Sequence, residues 1–489
     1  MPFSLRAWFA LFLFILPLGS SAATYVVDPD PTTGAVTVRI QVSRPSTEFR
    51  MPAWAPGDYR IVNFGKYISH VRFQRDGSPV LGQKDTKDVN LWRIPDGADE
   101  VQYSIERVPP GLFSENLRVT RNEFFAQWPA LLGWFEGAAN EKHVLKVRRL
   151  TREDRVEVAL ERLPGEGEYF VFTAPDYDAL LDAPLVMGPN LEVAEFVVYG
   201  KPHAIVGFGR NVPNLTGYVQ ICSRFIGAAA RLFGELPYNR YLFLIDFNGP
   251  GGGLEHRDSS RLAIPSGIPP RAVASFLAHE YFHAFNVKRI RSKPLGPFNY
   301  TKPAVTGALW WLEGVTDYYA EVLLLRSGVI EPDEFLDQIG RAITRASRSR
   351  SVSLDESSRR VWEANNSSGY RVDYYTGGKA VGALLDLAIR RASEGKHSLD
   401  DVVLALYKET ANGKPGFAEG RIRELCVQFG GEKVGEIYDE CVMKAGPLPL
   451  NDVLPAVGLE LRSGELVRAA AVGDREREIL ESWLAVDGK

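Results

Sequence analysis

An α+β multidomain architecture follows from three features of the 489-residue chain. Stretches that alternate apolar and polar residues, the period of a strand, dominate up to about residue 202. Longer apolar helical patterns follow. The length itself exceeds what one ordinary core holds, so two to four domains are expected. The expected order is an amino-terminal antiparallel β-domain over 24–202, a mixed α/β domain over 203–330, a helical part over 331–449 and a carboxyl-terminal tail over 450–489.

Residues 1–23 stand apart from this order. Arg6 precedes an apolar core from Ala7 to Leu18, and the small residues Gly19, Ser20, Ser21, Ala22 and Ala23 follow. That succession reads as a secretory signal cleaved after Ala22 or Ala23. The competing reading is an uncleaved anchor, although the core falls short of the ~20 residues that span a bilayer. No Cys follows the core, so a lipoprotein is not expected. The expectation is a periplasmic or secreted protein without stable membrane insertion once the signal is removed.

Composition narrows the function. With 45% hydrophobic and 24% charged residues the chain reads as globular, and its net charge of -4 carries no basic excess for a nucleic-acid partner. Cys222, Cys426 and Cys441 form no disulfide framework. Cys426 and Cys441 could pair, or all three could be buried thiols.

Each element has its own signal. Ala35 to Val42, Val101 to Ile105 and His143 to Val147 alternate as strands, with turn clusters such as Pro164-Gly165-Glu166-Gly167 between such stretches. Tyr218 to Phe233 reads as a helix and Tyr241 to Phe247 as a buried strand. The glycine run from Gly249 to Gly253 lacks the Gly-Lys-Ser/Thr of a phosphate loop. It is expected to let a second strand, Arg261 to Ile264, turn back along the first. Ile268-Pro269-Pro270 starts the next helix, Thr306 is a plausible cap for one that closes near Gly328, and Ala380 to Arg391 is another.

The chemistry concentrates in Ala278-His279-Glu280-Tyr281-Phe282-His283-Ala284-Phe285-Asn286, an apolar run that reads as helix. Residues four apart share a helix face, so His279 and His283 can aim both imidazoles at one metal ion. Glu280 sits one step round, where its carboxylate can reach a water on the metal without taking a ligand position. A zinc peptidase needs this arrangement. With 7 His in 489 residues, a chance match is expected on the order of 0.006 times per chain. The competing reading is a helix with two satisfied structural histidines.

A catalytic zinc needs a third protein ligand. The metzincin pattern would put a His where Arg289 stands, so a carboxylate from a later helix remains. Glu313 lies between Leu312 and Gly314, and a buried unpaired carboxylate is costly enough to require a partner such as a metal. Asp317 lies one turn on, on the same face. It either accepts a hydrogen bond from the distal nitrogen of a ligand His, fixing its tautomer, or is a solvated helix residue.

At this point the chain resembles the glycyl aminopeptidase family of gluzincin zinc metallopeptidases. The resemblance rests on His279 to Arg291, on Trp311 to Tyr319 and on Gly252-Gly253-Leu254-Glu255-His256. Weaker echoes are Trp54-Ala55-Pro56-Gly57-Asp58-Tyr59 and Pro175-Asp176-Tyr177-Asp178. It implies a thermolysin-like catalytic domain, one Zn2+ per chain, and release of small residues, Gly and Ala, from peptides with a free amino terminus. It also implies that Glu255 pairs with the substrate's α-ammonium, that Gly252 and Gly253 admit the peptide backbone, and that Tyr375 hydrogen-bonds the oxyanion. The family usually has Lys-Gly after the Tyr-x pair, whereas Gly377-Gly378-Lys379 stands here, so Tyr374 stays open for that role. Members commonly continue into a PDZ domain, which the stretch after Pro449 implies is absent or vestigial. A zinc endopeptidase and a non-catalytic peptide-binding protein on a peptidase scaffold are the alternatives. The oligomeric state stays open.

Overall fold

The computed structural model describes residues 23–106, 117–249, 251–348, 350–364 and 373–487. Apart from Ala23, the expected export signal lies outside them.

Alternation builds the first domain. In Ala23–Pro29 every second residue is buried, and Val36, Val38, Ile40 and Val42 continue that pattern in Val36–Arg50. This is how a strand presents one face to a core. Ten strands join in one sheet, with Val36–Arg50 antiparallel to Leu91–Ile105. One pair departs from the antiparallel expectation, because Ala23–Pro29 runs parallel to His143–Arg148. A parallel pair needs a long connection, and most of this domain lies between those two strands. Four shorter strands form a second sheet.

The catalytic sheet has five strands, in the order Glu192–Val198, Lys201–Phe208, Tyr241–Asp246, Ser259–Ala263, Gly252–Glu255. Its first strand precedes residue 202 but belongs here, because it forms a hairpin with Lys201–Phe208. Tyr241–Asp246 is buried throughout, as a central parallel strand must be. The expected reversal after the glycine run takes a different form. Ser259–Ala263 runs parallel to Tyr241–Asp246, and the chain reverses through Gly252–Glu255, which pairs antiparallel at the sheet edge. Gly252, expected within the glycine turn, instead opens this strand with φ 117°.

Helices Thr216–Phe233, Ala274–Phe282, Thr316–Arg326 and Tyr374–Ala392 belong to the core that includes one face of this sheet. Aromatic pairs lock them together: Phe282 stacks on Tyr319 with centroids 4.9 Å apart, and Phe233 on Phe285 at 3.9 Å. The stretch after Pro449 forms a short helix, the hairpin Leu459–Arg462 with Glu465–Arg468, and helix Asp474–Trp483. It is docked: Trp483 Nε1 donates to Tyr318 Oη at 2.8 Å. Cys222, Cys426 and Cys441 are buried free thiols. No helix among the described residues is long and apolar enough to cross a membrane.

The two domains share a buried junction. Ala53, Trp54 and Tyr59 of the first lie in the core of the second. Trp54 Nε1 donates to the Asn299 carbonyl at 2.9 Å, and its ring meets Trp362 edge-on at 5.2 Å.

Candidate active site

The His-motif helix ends earlier than its apolar run suggests. Phe282 is its last residue and His283 its cap, still in right-handed backbone at φ −59° and ψ −20°. The chain then winds through tight turns, Ala284 N–H to the Tyr281 carbonyl and Phe285 N–H to the Phe282 carbonyl, both at 2.9 Å. That winding brings the Asn286 carbonyl to His283 Nδ1 at 2.9 Å.

Glu313 arrives from a second element with an unexpected shape. The helix expected from Thr306 begins as a wide π-helical turn, Trp310–Val315, and narrows to α at Thr316–Arg326. Such turns are rare and occur frequently at functional sites. A side chain on Gly314 would collide with the Tyr374 carbonyl and with Gly378 Cα, so this glycine lets the tyrosine-bearing helix close on the Glu313 turn. Glu313 is only 3% exposed, and its Oε2 stands 3.2 Å from His283 Nε2 and 3.7 Å from His279 Nε2. Asp317 Oδ1 stands 2.8 Å from His279 Nδ1. Burial would raise the Asp317 pKa, but His279, through its charge when the ring is protonated and through the hydrogen bond it donates, outweighs burial and holds this carboxyl below its usual range.

The donor set fits a metal ion for a reason intrinsic to it. A carbonyl and a carboxylate only accept, so with both rings neutral each Nδ1 carries the proton and each Nε2 presents a lone pair. The two Nε2 atoms stand 3.0 Å apart with the Glu313 carboxylate beside them. Three acceptors meeting in a buried place repel one another unless a cation joins them, either a metal ion or a proton that Glu313 holds on His283. The His279, His283 and Glu313 ligand atoms all lie within 4.8 Å of one another, and a His-His-carboxylate set suits a catalytic zinc. Because Asp317 orients His279, Asp317→Ala should weaken zinc binding about 10–100-fold. Competition with a chelator measures this, and unchanged affinity would leave Asp317 without that part.

The other expected residues gather round this point. Glu280 is no part of the ligand set, and burial pushes its carboxyl up to about 7, with Glu255 and Glu313 adding to the rise and the two imidazoles opposing it. A base is most useful near the working pH. Gly253 faces it from the edge strand, where a Cβ would collide with the Glu280 carboxylate. Glu255, two residues on, is 5% exposed, and among the described residues no hydrogen bond occupies its carboxylate. The Tyr375 ring lies 6.2 Å from that of His279 and is 40% exposed, whereas Tyr374 is buried and stacks on it at 4.8 Å.

Two neighbours from the first domain escape a reading based on residue chemistry. Gly57 sits so close to Glu255 that a Cβ would stand 2.8 and 2.9 Å from its oxygens. Tyr59 is buried, and that burial, with Glu313 and Glu255 nearby, holds its phenol well above the ordinary value. Their only signal in the sequence is the Trp-Ala-Pro-Gly-Asp-Tyr echo. Arg289, at the position that rules out a metzincin, bonds the Ala284 and Pro237 carbonyls and Asp258. A cavity of 990 Å³ also lies at the domain junction, lined among others by Gln127, Tyr177, Asp182, His256 and Lys288. The zinc-ligand candidates are not in its wall.

A β-domain joined to a mixed α/β domain, with two imidazoles and a later carboxylate converging, defines a metallopeptidase of the gluzincin type. Residues 24–189 match the peptidase M61 N-terminal domain and residues 272–381 match M61 glycyl aminopeptidase. The chain belongs to the M61 glycyl aminopeptidase family and is a metallopeptidase by class. Among solved structures it is similar to an aminopeptidase N family protein from Idiomarina loihiensis, at 25% identity and a TM-score of 0.81, over 89% of this chain and 78% of that one. The fold is shared by an M1 zinc metallopeptidase from Deinococcus radiodurans (14%, TM-score 0.56, 88% and 95% covered). Yeast LTA4 hydrolase shares it too (13%, TM-score 0.53, 90% and 70% covered). A comparison with curated proteins finds no match.

Proposed function

We propose that this chain is a zinc-dependent aminopeptidase that releases small residues, Gly and Ala, from peptides with a free amino terminus. The observation that carries the reading is the pairing of the three-acceptor metal site with Glu255, a buried carboxylate that no described hydrogen bond occupies. His279, His283 and Glu313 would hold one zinc ion. When bound, the zinc supplies Lewis-acid polarisation of a carbonyl and lowers the pKa of a water toward ~7.

The remaining steps belong to the chain's own residues. Glu280 takes a proton from water and later delivers it to the leaving amine. Tyr375 donates its phenolic hydrogen to the oxyanion developing on the scissile carbonyl, and losing one such donor costs about 10²–10³ in rate. Its half-exposed ring beside His279 favours it over the buried Tyr374. Glu255 receives the α-ammonium, so one residue is released at a time. Gly252 and Gly253 leave the first half of the edge strand without side chains, where the peptide backbone can approach. The apolar start of the chain supports export to the periplasm or beyond.

Amino-acyl reporter peptides, free and amino-blocked, with and without chelator and added zinc, test this reading. Glu255→Ala should lower kcat/KM for free-amine reporters by about 10²-fold, the cost of breaking a buried charge pair. Blocked reporters should be hurt far less. Equal loss on both would remove Glu255 from the amine role, and internal cleavage of blocked peptides would favour an endopeptidase.

A further inference from the structure

Glu255 carries a second requirement, a compensating charge. It is buried in the field of Glu280 and Glu313, and clustered buried carboxylates need a cation. Lys288 is placed to be that cation. It is 9% exposed, and its Nζ stands 3.8 Å from Glu255 Oε1. It stands closer, at 3.0 Å, to Asp182 Oδ1.

The two distances differ in kind. At 3.0 Å Lys288 hydrogen-bonds Asp182, while 3.8 Å lies outside hydrogen-bond range. The ammonium therefore compensates Glu255 without occupying its oxygens, which stay open to a ligand's amine. Asp182 is anchored for this task. It follows helix Tyr177–Leu181 of the first domain and also accepts from His256 Nδ1 at 3.0 Å and from Arg257 N–H at 2.9 Å. Burial would raise its pKa, but Lys288 and His256 outweigh burial and hold the carboxyl well below its usual range.

The backbone of Lys288 is held as firmly. Its N–H donates to the His283 carbonyl at 3.2 Å. The preceding Val287 has φ 106°, a left-handed backbone that a β-branched residue adopts only where its surroundings impose it. The Val287 N–H donation to the Ile290 carbonyl at 2.8 Å closes that turn.

We propose that Lys288, clamped by Asp182 of the amino-terminal domain, is a positioning residue that orients Glu255 toward the substrate's α-ammonium. Docking of the first domain thereby becomes part of amine recognition. The inference rests on the assignment of Glu255 to the amine.

Steady-state kinetics on a free-amine alanyl reporter, with zinc content and thermal midpoint recorded for each variant, test it. Zinc-loaded Lys288→Met should raise KM about tenfold or more while kcat changes less, and Lys288→Arg should recover most of the loss. In a Glu255→Gln background Lys288→Met should add nothing further. An unchanged or lowered KM in a folded Lys288→Met, or the same added loss in the Glu255→Gln background, overturns the proposal. If Lys288→Met does not fold, Asp182→Asn decides: a raised KM that disappears in the Glu255→Gln background supports the clamp, and an equal rise in both backgrounds, or none, overturns it. If Glu255→Gln alone leaves KM unchanged, the parent assignment of Glu255 fails instead.

Discussion

Replacing Glu280 by Gln should lower kcat by about 10²–10⁴-fold while zinc remains bound, the loss expected when a general base is removed. The substitution keeps shape and removes only basicity, and shape matters here because Gly253 is pressed against this side chain. Metal retention is expected because the ligand atoms come from His279, His283 and Glu313. KM should move little, since Glu280 lies outside the groups assigned to the amine and the ligand set. Metal analysis of the purified variant beside its kcat gives the check. Substantial remaining turnover, or loss of metal along with activity, would sink the assignment.

Glu313→Ala should abolish zinc retention and bring peptide hydrolysis to background. Without the carboxylate, two imidazole lone pairs 3.0 Å apart must hold a divalent cation alone, and two ligands do not hold a catalytic zinc. The loss is also visible without any substrate. A ligand that binds only the folded protein at a hundredfold excess over its Kd stabilises it by about 2.7 kcal/mol. Zinc should therefore raise the thermal midpoint of the apo wild type, and that rise should vanish in Glu313→Ala. A variant that still shows the full zinc-dependent shift would place the third ligand elsewhere.

Much of the fold was legible because local pattern coincides with tertiary role. Val36 to Val42 alternate, and those valines and the isoleucine between them do face a core. Tyr241 to Phe247 is uniformly apolar before its final Asp-Phe, and it forms a central buried strand. The pattern misled where pairing partners decide. Gly252–Glu255 is a strand only because Ser259–Ala263 lies beside it, and Glu192–Val198 joins the catalytic sheet only through its hairpin. Neither pairing leaves a mark on residue type. Hydrophobic periodicity also failed to reveal the π-helical turn at Trp310–Val315, because wide and ordinary turns bury similar residues and differ in the packing that Gly314 permits.

For the site, the split between local and long-range information is sharper. His279, Glu280 and His283 were determined by the sequence alone, since four residues on a helix are a fixed geometry. Arg289 excluded a third ligand close by, and Glu313 with Asp317 one turn later supplied a carboxylate candidate and its neighbour. Only the tertiary structure decided how these parts combine: which nitrogen of each imidazole points inward, that Asp317 meets His279, and that Tyr375 is the more open of two adjacent tyrosines. It alone brought Gly57, Tyr59 and Asp182 from the first domain to the edges of Glu255 and Lys288. The reason is physical. A motif within one helix turn is set by backbone geometry that every helix shares, whereas contacts between distant segments depend on the packing of two whole domains.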